Sequence, residues 1–251
     1  MMGRSVDINA SADRKKIGAV KPVRKKAKNP TLSEIAAALG VSKGTVSMAL
    51  KGNPLVAEGT REAVKSKAEQ LGYVYNRSAA SLSTGVTGLI GLAVHNLTNP
   101  YFTRVCAAIE EELERRGQFA LLCNLDESRE KQARFIRALS EQNADGLIIC
   151  PAAGTTAKEL PTHLNNGSPV VLFAREIEGQ KHDFVGNDDV EAMRLATQHI
   201  LDLGHTRIGY IGAGGQTSVS RKRKLGFDHA MKCAGIEPAS DLIVDSSIYP
   251  E

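Results

Sequence analysis

The spacing of apolar residues changes near residue 88, and this change divides the chain into two parts of different architecture. Between residues 31 and 72, apolar side chains recur every three or four positions, as they do along the buried face of an amphipathic helix. Thr31 or Ser33 can cap the first helix, and Gly40 ends it. The pattern predicts three short helices in this part of the chain.

The second helix is predicted inside the run LGVSKGTVSMALKGN, with Ser42 as its N-cap and the segment KGNP at residues 51–54 as its end. The third is expected from about residue 58 to 71, ending at Gly72. Its buried face is expected to comprise Ala63, Val64, Ala68 and Leu71. With Val41 and Val46 filling the small core, the three helices form a helix-turn-helix unit.

Beyond Gly88 the pattern becomes an alternation of short apolar runs and longer amphipathic stretches. The apolar runs are LIGLAV, FALLC, GLIIC, PVVLF and RIGYIG. The amphipathic stretches cover residues 101–116, 127–142, 155–165, 188–203 and about 221–234. This alternation predicts an α/β body with a parallel sheet flanked by helices, and ligand sites at the carboxyl ends of the strands.

Charge separates the same two parts of the chain. Residues 1–87 contain 15 basic and six acidic side chains, whereas residues 88–251 contain 17 basic and 22 acidic ones. A basic head on an acidic body is typical of a protein that binds a polyanion. We expect residues 1–30 to be a disordered basic tail, residues 31–75 the helical domain, residues 76–87 a linker and residues 88–251 the body.

Composition narrows the possible classes of protein. At 251 residues and 42% hydrophobic content, the chain is long enough for an α/β domain and a small accessory domain. No run approaches the length of a transmembrane helix, and the N-terminus has no secretory signal, so we expect a cytoplasmic protein. Its four dispersed cysteines favour reduced thiols over disulfides, and their spacing does not match a metal site.

The second helix carries the candidate chemistry of the head. In a helix-turn-helix unit this helix lies in the major groove of DNA, with its first residues at the base edges and its early amides and hydroxyls on phosphates. The positions concerned are Ser42, Lys43, Gly44, Thr45, Ser47 and Met48. The alternative is a small helical bundle with an ordinary polar face, since short patterns of this kind also occur by chance.

From about Thr31 onward, the ordered motifs resemble the LacI family of bacterial transcription regulators. They are TLSEIAAALGVSKGTVSMALKG, TREAVKSKAEQLGYVYN and SAASL in the head, and IGLAVHNLTNPYF, ADGLIIC, LGHTRIGYIG and the run from Arg223 to Phe227 in the body. Within the family, VVLFARE and GGQTS somewhat resemble maltose-regulon repressors. The resemblance implies a periplasmic-binding-protein-like body of two subdomains that close on a small effector.

The resemblance also implies roles for residues in the head. Lys43, Gly44 and Met48 would read bases, while Ser42, Thr45 and Ser47 would hold phosphates or the helix start, and Thr60 is a further expected DNA contact. Asn76, Ala79 and Leu82 match the hinge helix, whose leucine enters the minor groove at the operator centre. Without the resemblance, Leu82 is interpreted equally well as an apolar residue of a loop. This chain departs from the family at Met48, Ala57 and Tyr75, where arginine, serine and proline are common.

In the body, the resemblance implies that Asn99, Tyr101, Phe102, Arg175 and Arg223 contact the effector. Aromatic faces suit sugar or purine rings, and a guanidinium suits hydroxyl pairs or carboxylates. Phe102 is alternatively a core residue, and Arg223 alternatively belongs to a solvated charged face with its basic neighbours. Ala174 stands where many members have aspartate, which argues against an ordinary sugar effector.

These observations predict a regulator, expected to be a repressor, whose partners are palindromic operator DNA, a small-molecule effector and a second copy of the chain. The competing interpretation is a cytosolic α/β enzyme or ligand-binding protein with an incidental helical head. The run GAGGQTS lacks the residues of a phosphate-binding loop, and no nucleophile can be matched to a base, so no catalytic site, cofactor or membrane partner is expected. Because family members continue with further strand-helix units, the resemblance implies a C-terminally truncated chain with an incomplete second subdomain. We expect strands near residues 183–186 and 207–211 in the part of this subdomain that is present.

Overall fold

The computed structural model describes residues 30–74, 85–179, 181–213 and 215–245. The described residues fall into two compact units, a helical head and an α/β body, with the division at residues 76 and 77. The head contains three helices, namely α1 (Leu32–Leu39), α2 (Lys43–Leu50) and α3 (Glu58–Leu71). Each of these helices lies where the apolar spacing predicts it.

Local caps fix the ends of the helices in the head. Thr31, rather than Ser33, caps α1 in a capping box with Glu34, and Ser42 caps α2 by accepting a hydrogen bond from the amide of Thr45. Gly40 and Gly72 end α1 and α3 in the left-handed conformation, which costs glycine least.

The core of the head is small and apolar. Its buried members are Ile35, Ala36, Val46, Ala49, Val56, Val64 and Ala68. The prediction that Ala63 and Leu71 are buried is wrong, because Ala63 is exposed and Leu71 is 38% exposed. Successive side chains of an α-helix are rotated by about 100° around the helix axis, so Ala63 lies off the stripe formed by Val64 and Ala68. Leu71 is the last residue of its helix.

The body contains two parallel sheets. Its elements in chain order are β1 (Leu89–Val94), α4 (Pro100–Arg115), β2 (Phe119–Asn124), α5 (Arg129–Glu141), β3 (Gly146–Ile149), β4 (Val170–Phe173), β5 (Asp183–Val185), α6 (Asp189–Asp202), β6 (Tyr210–Gly212), α7 (Ser218–Cys233), a 3-10 turn (Ser240–Leu242) and β7 (Ile243–Asp245). The first sheet has the order β2-β1-β3-β4-β5, and β6 pairs with β7 in the second. The parallel α/β architecture agrees with the prediction from the sequence.

Helices cover both faces of the first sheet. Ala93 of β1 contributes to a core with Leu139 of α5, while its neighbours Leu92 and Val94 contribute to a second core with Phe102 of α4. This alternation follows from the opposite directions of successive side chains along a strand. Because the strands of the first sheet are parallel, their carboxyl ends lie at the same end of the sheet, and the loops that follow them converge there.

Between β3 and β4 the structure has turns where the amphipathic pattern at 155–165 predicts a helix. The amide and the hydroxyl of Thr156 donate hydrogen bonds to the carboxylate of Glu159 and close one turn. Pro161 follows two residues after Glu159. Because proline lacks an amide hydrogen and its ring clashes with the carbonyl four residues before it, a helix cannot pass through this position undistorted. The predicted helix is therefore wrong.

Three further expectations need correction. The strand near 183–186 was expected in the second subdomain, but β5 pairs with β4 and Phe184 packs against the core of the first sheet. The strand expected at 207–211 begins only at Tyr210, because its pairing with β7 covers three residues, Tyr210–Gly212. The helix expected from about residue 221 begins at Ser218, capped by Thr217, so Arg223 lies within its second turn.

Helices α6 and α7 pack closely in the second part of the body. A Cβ atom built at Gly226 of α7 would lie 2.2 Å from the carbonyl oxygen of Val190 in α6. The absence of a side chain at Gly226 therefore sets the separation of the two helices. Of the helices that the structure describes, none is both long enough and apolar enough to cross a bilayer.

Candidate functional site

The first turn of α2 presents a polar, cationic surface to solvent. Ser42, Lys43 and Gly44 are exposed, whereas Val46 and Ala49 point into the core. Ser42 accepts a hydrogen bond from the amide of Thr45 at 3.0 Å, and the two hydroxyl oxygens lie 2.9 Å apart. The helix contains no acidic residue, so its positive N-terminus is not offset by a carboxylate of its own.

The remaining predicted DNA contacts in α2 are Thr45, Ser47 and Met48. Met48 is 37% exposed, and Thr45 and Ser47 are partly buried. An amphipathic helix of eight residues thus has one face in the core and a second face of small, polar and basic side chains. An exposed face of this composition can approach a phosphate backbone without a bulky or acidic obstacle.

The start of α3 is tied to the turn that follows α2. Arg61 donates hydrogen bonds to the carboxylate of Glu58 and to the carbonyl of Asn53. Thr60, the predicted contact in this helix, is partly buried. The predicted hinge residues, which are Asn76, Ala79 and Leu82, lie outside the described part of the chain.

In the body, a cavity of about 580 Å³ opens at the carboxyl end of the first sheet. The structure brings together here all five residues that the sequence predicts to contact the effector. The described residues of its lining include Asn99, Tyr101, Phe102, Arg175 and Arg223, together with His95, Ala174, Asn187, Asp189, Met193, Thr217, Val219, Ser220 and residues 210–213. The volume lies within the range of small-molecule sites.

The aromatic side of the cavity is formed at the start of α4. Asn99 caps this helix by accepting a hydrogen bond from the amide of Tyr101. Tyr101 is 43% exposed, while Phe102 is 6% exposed and packs edge-on against His95 and Tyr101. Phe102 therefore belongs to the core as well as to the cavity wall, and Tyr101 offers the accessible ring.

The cationic side of the cavity is formed by Arg223 in α7. Its Nε atom donates to Asp189 Oδ1 at 2.9 Å. The Arg223 side chain is 50% exposed, whereas that of Asp189 is 7% exposed. Both residues line the cavity, and the Arg223 side chain is the more accessible of the two.

Arg175 occupies the floor of the cavity and is held by a second ion pair. It donates to both carboxylate oxygens of Glu127, at 2.8 and 2.9 Å, and to the carbonyl of Pro151. Glu127 also accepts a hydrogen bond from the amide of Ala153. Glu127 and Ala174 both have positive φ angles, of 54° and 59°, a conformation that costs residues with a side chain free energy.

His95 packs beside this ion pair. Its Nδ1 atom lies 3.4 Å from the Cys150 sulfur, and its Nε2 atom lies 3.9 Å from Glu127. Burial, with a further contribution from the Arg175 charge, lowers the pKa of His95 from 6.5 to about 4. Burial raises the pKa of the Cys150 thiol to about 12. His95 is therefore neutral and Cys150 is a protonated thiol at neutral pH, so this pair is not an activated nucleophile.

Sequence reasoning missed the polar partners of the two arginines. Glu127 lies in the loop after β2, Asp189 opens α6, and His95 directly follows β1. The rule that parallel strands end at one edge would have pointed to His95 and to the loop containing Glu127. Their pairing with particular arginines depends on the order of strands in the sheet, which the sequence does not reveal.

Models of two protein families match the chain, one for each structural unit. Residues 31–76 match bacterial regulatory proteins of the lacI family. Residues 87–247 match the periplasmic binding proteins and sugar binding domain of the LacI family. The chain belongs to the LacI family. The resemblance of the motifs is thereby confirmed, as is the combination of a helix-turn-helix head with a periplasmic-binding-protein-like body.

Curated relatives in the family are regulators. The chain is 34% identical over 80% of its length to the maltose regulon regulatory protein MalI of Escherichia coli K12. It is 31% identical over 88% of its length to the transcriptional repressor PurR of Photobacterium profundum. These matches span 58% of MalI and 66% of PurR, so the chain covers less than two thirds of either relative.

Solved structures of the family share the fold. A lac repressor dimer bound to operator and the anti-inducer ONPF has a TM-score of 0.73 at 22% identity, over 88% of this chain and 66% of that one. A complex of the transcriptional regulator CelR with cellobiose has a TM-score of 0.57 at 28% identity, over 88% of this chain and 66% of that one.

Proposed function

We propose that the chain is a sequence-specific, DNA-binding transcriptional repressor whose affinity for its operator changes when a small molecule fills the cavity of the body. The observation that carries the proposal is the exposed first turn of α2, with Ser42, Lys43 and Gly44 at a helix N-terminus that contains no acidic residue. Amides, a hydroxyl and one cation there suit contact with DNA phosphates and base edges. The family membership supports the same function.

Within this proposal, the residues of α2 have different tasks. Lys43, Gly44 and Met48 face the base edges, and the Met48 side chain suits contact with a thymine methyl group. Ser42, Thr45 and Ser47 hold the helix start and phosphates, and Thr60 gives a further contact from α3. Leu82, with Asn76 and Ala79, forms a hinge that enters the minor groove where two copies meet.

Selection of bound sites from a random DNA pool, followed by fluorescence anisotropy, tests the assignment. Lys43→Ala should change the selected bases and cost about 1–3 kcal/mol at the preferred site. Ser42→Ala should weaken binding to all sites alike, because the residue acts on the helix start and the phosphates. Lys65→Ala in α3 is the matched control, since it removes the same charge from an exposed position in the head. A Lys43 variant that selects the unchanged site contradicts the assignment of α2.

The proposal includes a homodimer on a palindromic site. β2 is an edge strand of the first sheet, and it exposes Leu121 and Leu122 to 40% and 46%. Apolar side chains on a sheet edge favour association with another copy of the same surface. Light scattering should show loss of the dimer in Leu122→Lys, and anisotropy should show weaker operator binding. Leu195→Lys on α6, at another exposed leucine, should leave both unchanged. A Leu122→Lys protein that is still dimeric rules out this surface.

The cavity supports the role of the body as a sensor. It is lined by an accessible tyrosine, two arginines and several amide and hydroxyl groups from both parts of the body. A ligand that contacts α4 and α7 together would fix the relation between the two sheets, and binding that differs between two arrangements shifts their populations. A chain that binds no DNA in the anisotropy experiment would favour the ligand-binding or enzyme alternative.

A further inference from the structure

We propose that an ionic latch holds the two parts of the body together beside the effector cavity and sets the position of the cavity walls when no ligand is bound. The first part comprises the first sheet with α4 and α5, and the second part comprises the second sheet with α6 and α7. The latch is formed by Glu176 and Glu178, in the segment after β4, with Ser218, Arg221 and Lys222 of α7. The inference goes beyond the proposed function, because it concerns the empty body and not its ligand or its DNA.

The basic run RKRK at residues 221–224 points to this latch. Each of its four side chains has a carboxylate partner. Two of the ion pairs lie within the second part of the body, and they are Arg223–Asp189 and Lys224–Asp228. The other two basic residues, Arg221 and Lys222, pair with carboxylates in the segment after β4, which belongs to the first part. Half of the run therefore reaches from one part of the body to the other.

Helix geometry places the three α7 members of the latch on one face. Arg221 and Lys222 follow Ser218 by three and four positions, the spacing at which side chains are neighbours on a helix. The amide of Glu176 donates a hydrogen bond to the Ser218 hydroxyl at 2.8 Å, and the Glu176 carboxylate accepts from Lys222. Arg221 pairs with Glu178 at 2.6 Å. One short segment thus contacts one helix face through three polar contacts.

The two parts of the body have separate apolar cores among the described residues. The cores of the first part lie on the two faces of the first sheet, whereas Tyr210, Phe227 and Met231 belong to the core of the second part. Lys222 adds a contact between the parts, because its ammonium lies 5.6 Å from the centre of the Phe184 ring in β5. Units that are joined mainly by polar contacts move relative to each other more readily than units that share an apolar core. The latch is therefore placed where it can control this movement.

The latch lies beside the effector cavity without lining it. All of its residues except Lys222 line a smaller cavity of about 240 Å³, and none of them is among the described residues that line the effector cavity. Arg175 and Thr217 line both cavities, so the two are adjacent. The latch can thus fix the distance between the walls of the effector cavity without contact with a ligand.

The strength of the latch suits an adjustable contact. Its ion pairs are partly exposed, with 37% and 39% of the Lys222 and Glu176 side chains accessible and 44% and 83% of those of Arg221 and Glu178. Each pair therefore contributes only a modest free energy. A modest contribution is sufficient to shift the populations of two arrangements that differ little in free energy, and such a shift changes the apparent affinity for a ligand.

Hydrogen exchange at the Glu176 amide tests the latch on the whole chain without a ligand. Ser218→Ala removes the acceptor and should speed the exchange of this amide about tenfold. Lys222→Gln leaves the acceptor in place but should still speed the exchange about threefold, because the ion pair holds the same segment. Lys224→Gln is the matched control, since it removes the same charge from the same helix and its partner Asp228 also lies in α7. If Lys222→Gln exchanges no faster than Lys224→Gln, the proposal is overturned.

An exchanged charge pair separates a latch from a general loss of stability. Glu176→Lys alone and Lys222→Glu alone should each speed the exchange, and the protein with both substitutions should recover slow exchange, since opposite charges face each other again. The amide of Leu147, which donates to the Pro169 carbonyl in the first sheet, reports unfolding of that sheet and should not change. Equal acceleration at both amides, or no recovery in the exchanged pair, contradicts the latch.

Salt provides a further measurement on the same amide. Raising NaCl from about 50 mM to about 0.5 M should speed the exchange in the parent chain, because partly exposed ion pairs are screened. The same step should have no such effect in a protein with both Arg221→Gln and Lys222→Gln, and an equal effect in the two proteins would rule out the latch. These measurements concern the body alone. A chain without a preferred DNA site leaves their outcome unchanged, and failure of the latch leaves the repressor proposal standing.

Discussion

The head and the body differ in where they keep their polar groups. The buried core of the head is entirely apolar, and its largest member is Ile35. All buried polar side chains of the described chain lie in the body, and they include His95, Arg175 and Asp189 at the cavity. The head thus has its chemistry on the outside, where a large partner can reach it, and the body has its chemistry inside, where a small molecule fits.

This difference has an energetic consequence. A small domain buries a smaller share of its surface than a large one, so the head depends on a few apolar contacts. The body has larger cores on both faces of its first sheet and can therefore contain buried charges and residues with positive φ, which oppose folding unless each charge is paired. We expect the stability of the head to be most sensitive to substitutions in its apolar core. We expect the stability of the body to be most sensitive to substitutions that change a buried charge or the shape of a packed residue.

The largest effect is expected in the head for Ile35→Ala. Ile35 is fully buried, and its truncation should cost about 3 kcal/mol, enough to unfold a domain of this size. Circular dichroism during heating should show loss of the transition that belongs to the head, with loss of DNA binding, while calorimetric ligand binding by the body persists. Leu55→Ala, at a position 86% exposed, is the control and should have little effect. Simultaneous loss of both transitions would show that the two units do not unfold separately.

The next effect concerns the contact between α6 and α7 in the body. Gly226→Ala should destabilise the body by about 2–3 kcal/mol, because the new Cβ would lie 2.2 Å from the Val190 carbonyl oxygen and the helices must separate. Helix propensity alone predicts the opposite sign. Urea unfolding monitored by circular dichroism measures the change. A Gly226→Ala protein at least as stable as the parent would mean that α6 and α7 lie further apart.

The same contrast describes what the sequence could predict. In the head, Ser42, Gly40 and Gly72 act on neighbours within five residues, and the boundaries of the helices follow from such local signals. In the body the alternation of strands and helices was predictable as well. The amphipathic pattern of segment 155–165 predicts a helix, but Pro161 prevents it, and this effect of proline is itself local.

What the sequence could not reveal is contact between distant segments. The five predicted effector contacts meet at one cavity, but the ion pairs that orient two of them join residues 48 and 34 positions apart. The strand Asp183–Val185 belongs to the first sheet because Phe184 packs into that core, and a short strand pattern carries no information about its sheet. Pairings of this kind depend on strand order, which has no local signal.

A pH-dependent loss of stability should separate the two parts further. The folded body holds the pKa of His95 at about 4, below the ordinary value of 6.5. The unfolded chain therefore binds a proton that the folded body does not bind as pH falls from 6.5 to 4. Stability from this residue is complete above pH 6.5 and declines towards pH 4, by about 2–3 kcal/mol in all.

Urea unfolding at several pH values between 7 and 4 measures this decline. The groups in contact with His95 are Cys150, Phe102, Glu127 and Arg175. His95→Gln should flatten the pH dependence of the body, and the head, which has no histidine, should show no such decline of its own. An equally steep decline in His95→Gln would assign the effect to another group.

The smallest expected effect is a gain of stability in the head from Gly59→Ala. Gly59 lies in the first turn of α3, is exposed and has no heavy atom within 4 Å of the position that a Cβ would occupy. Alanine has the higher helix propensity and restricts the unfolded chain, so the variant should stabilise the head by about 0.5 kcal/mol. The same substitution at Gly226 meets the backbone of a neighbouring helix and should destabilise the body. Thermal unfolding of both variants in parallel measures the two signs. Loss of stability in Gly59→Ala would mean that the surface of α3 near its first turn is in contact with another part of the protein.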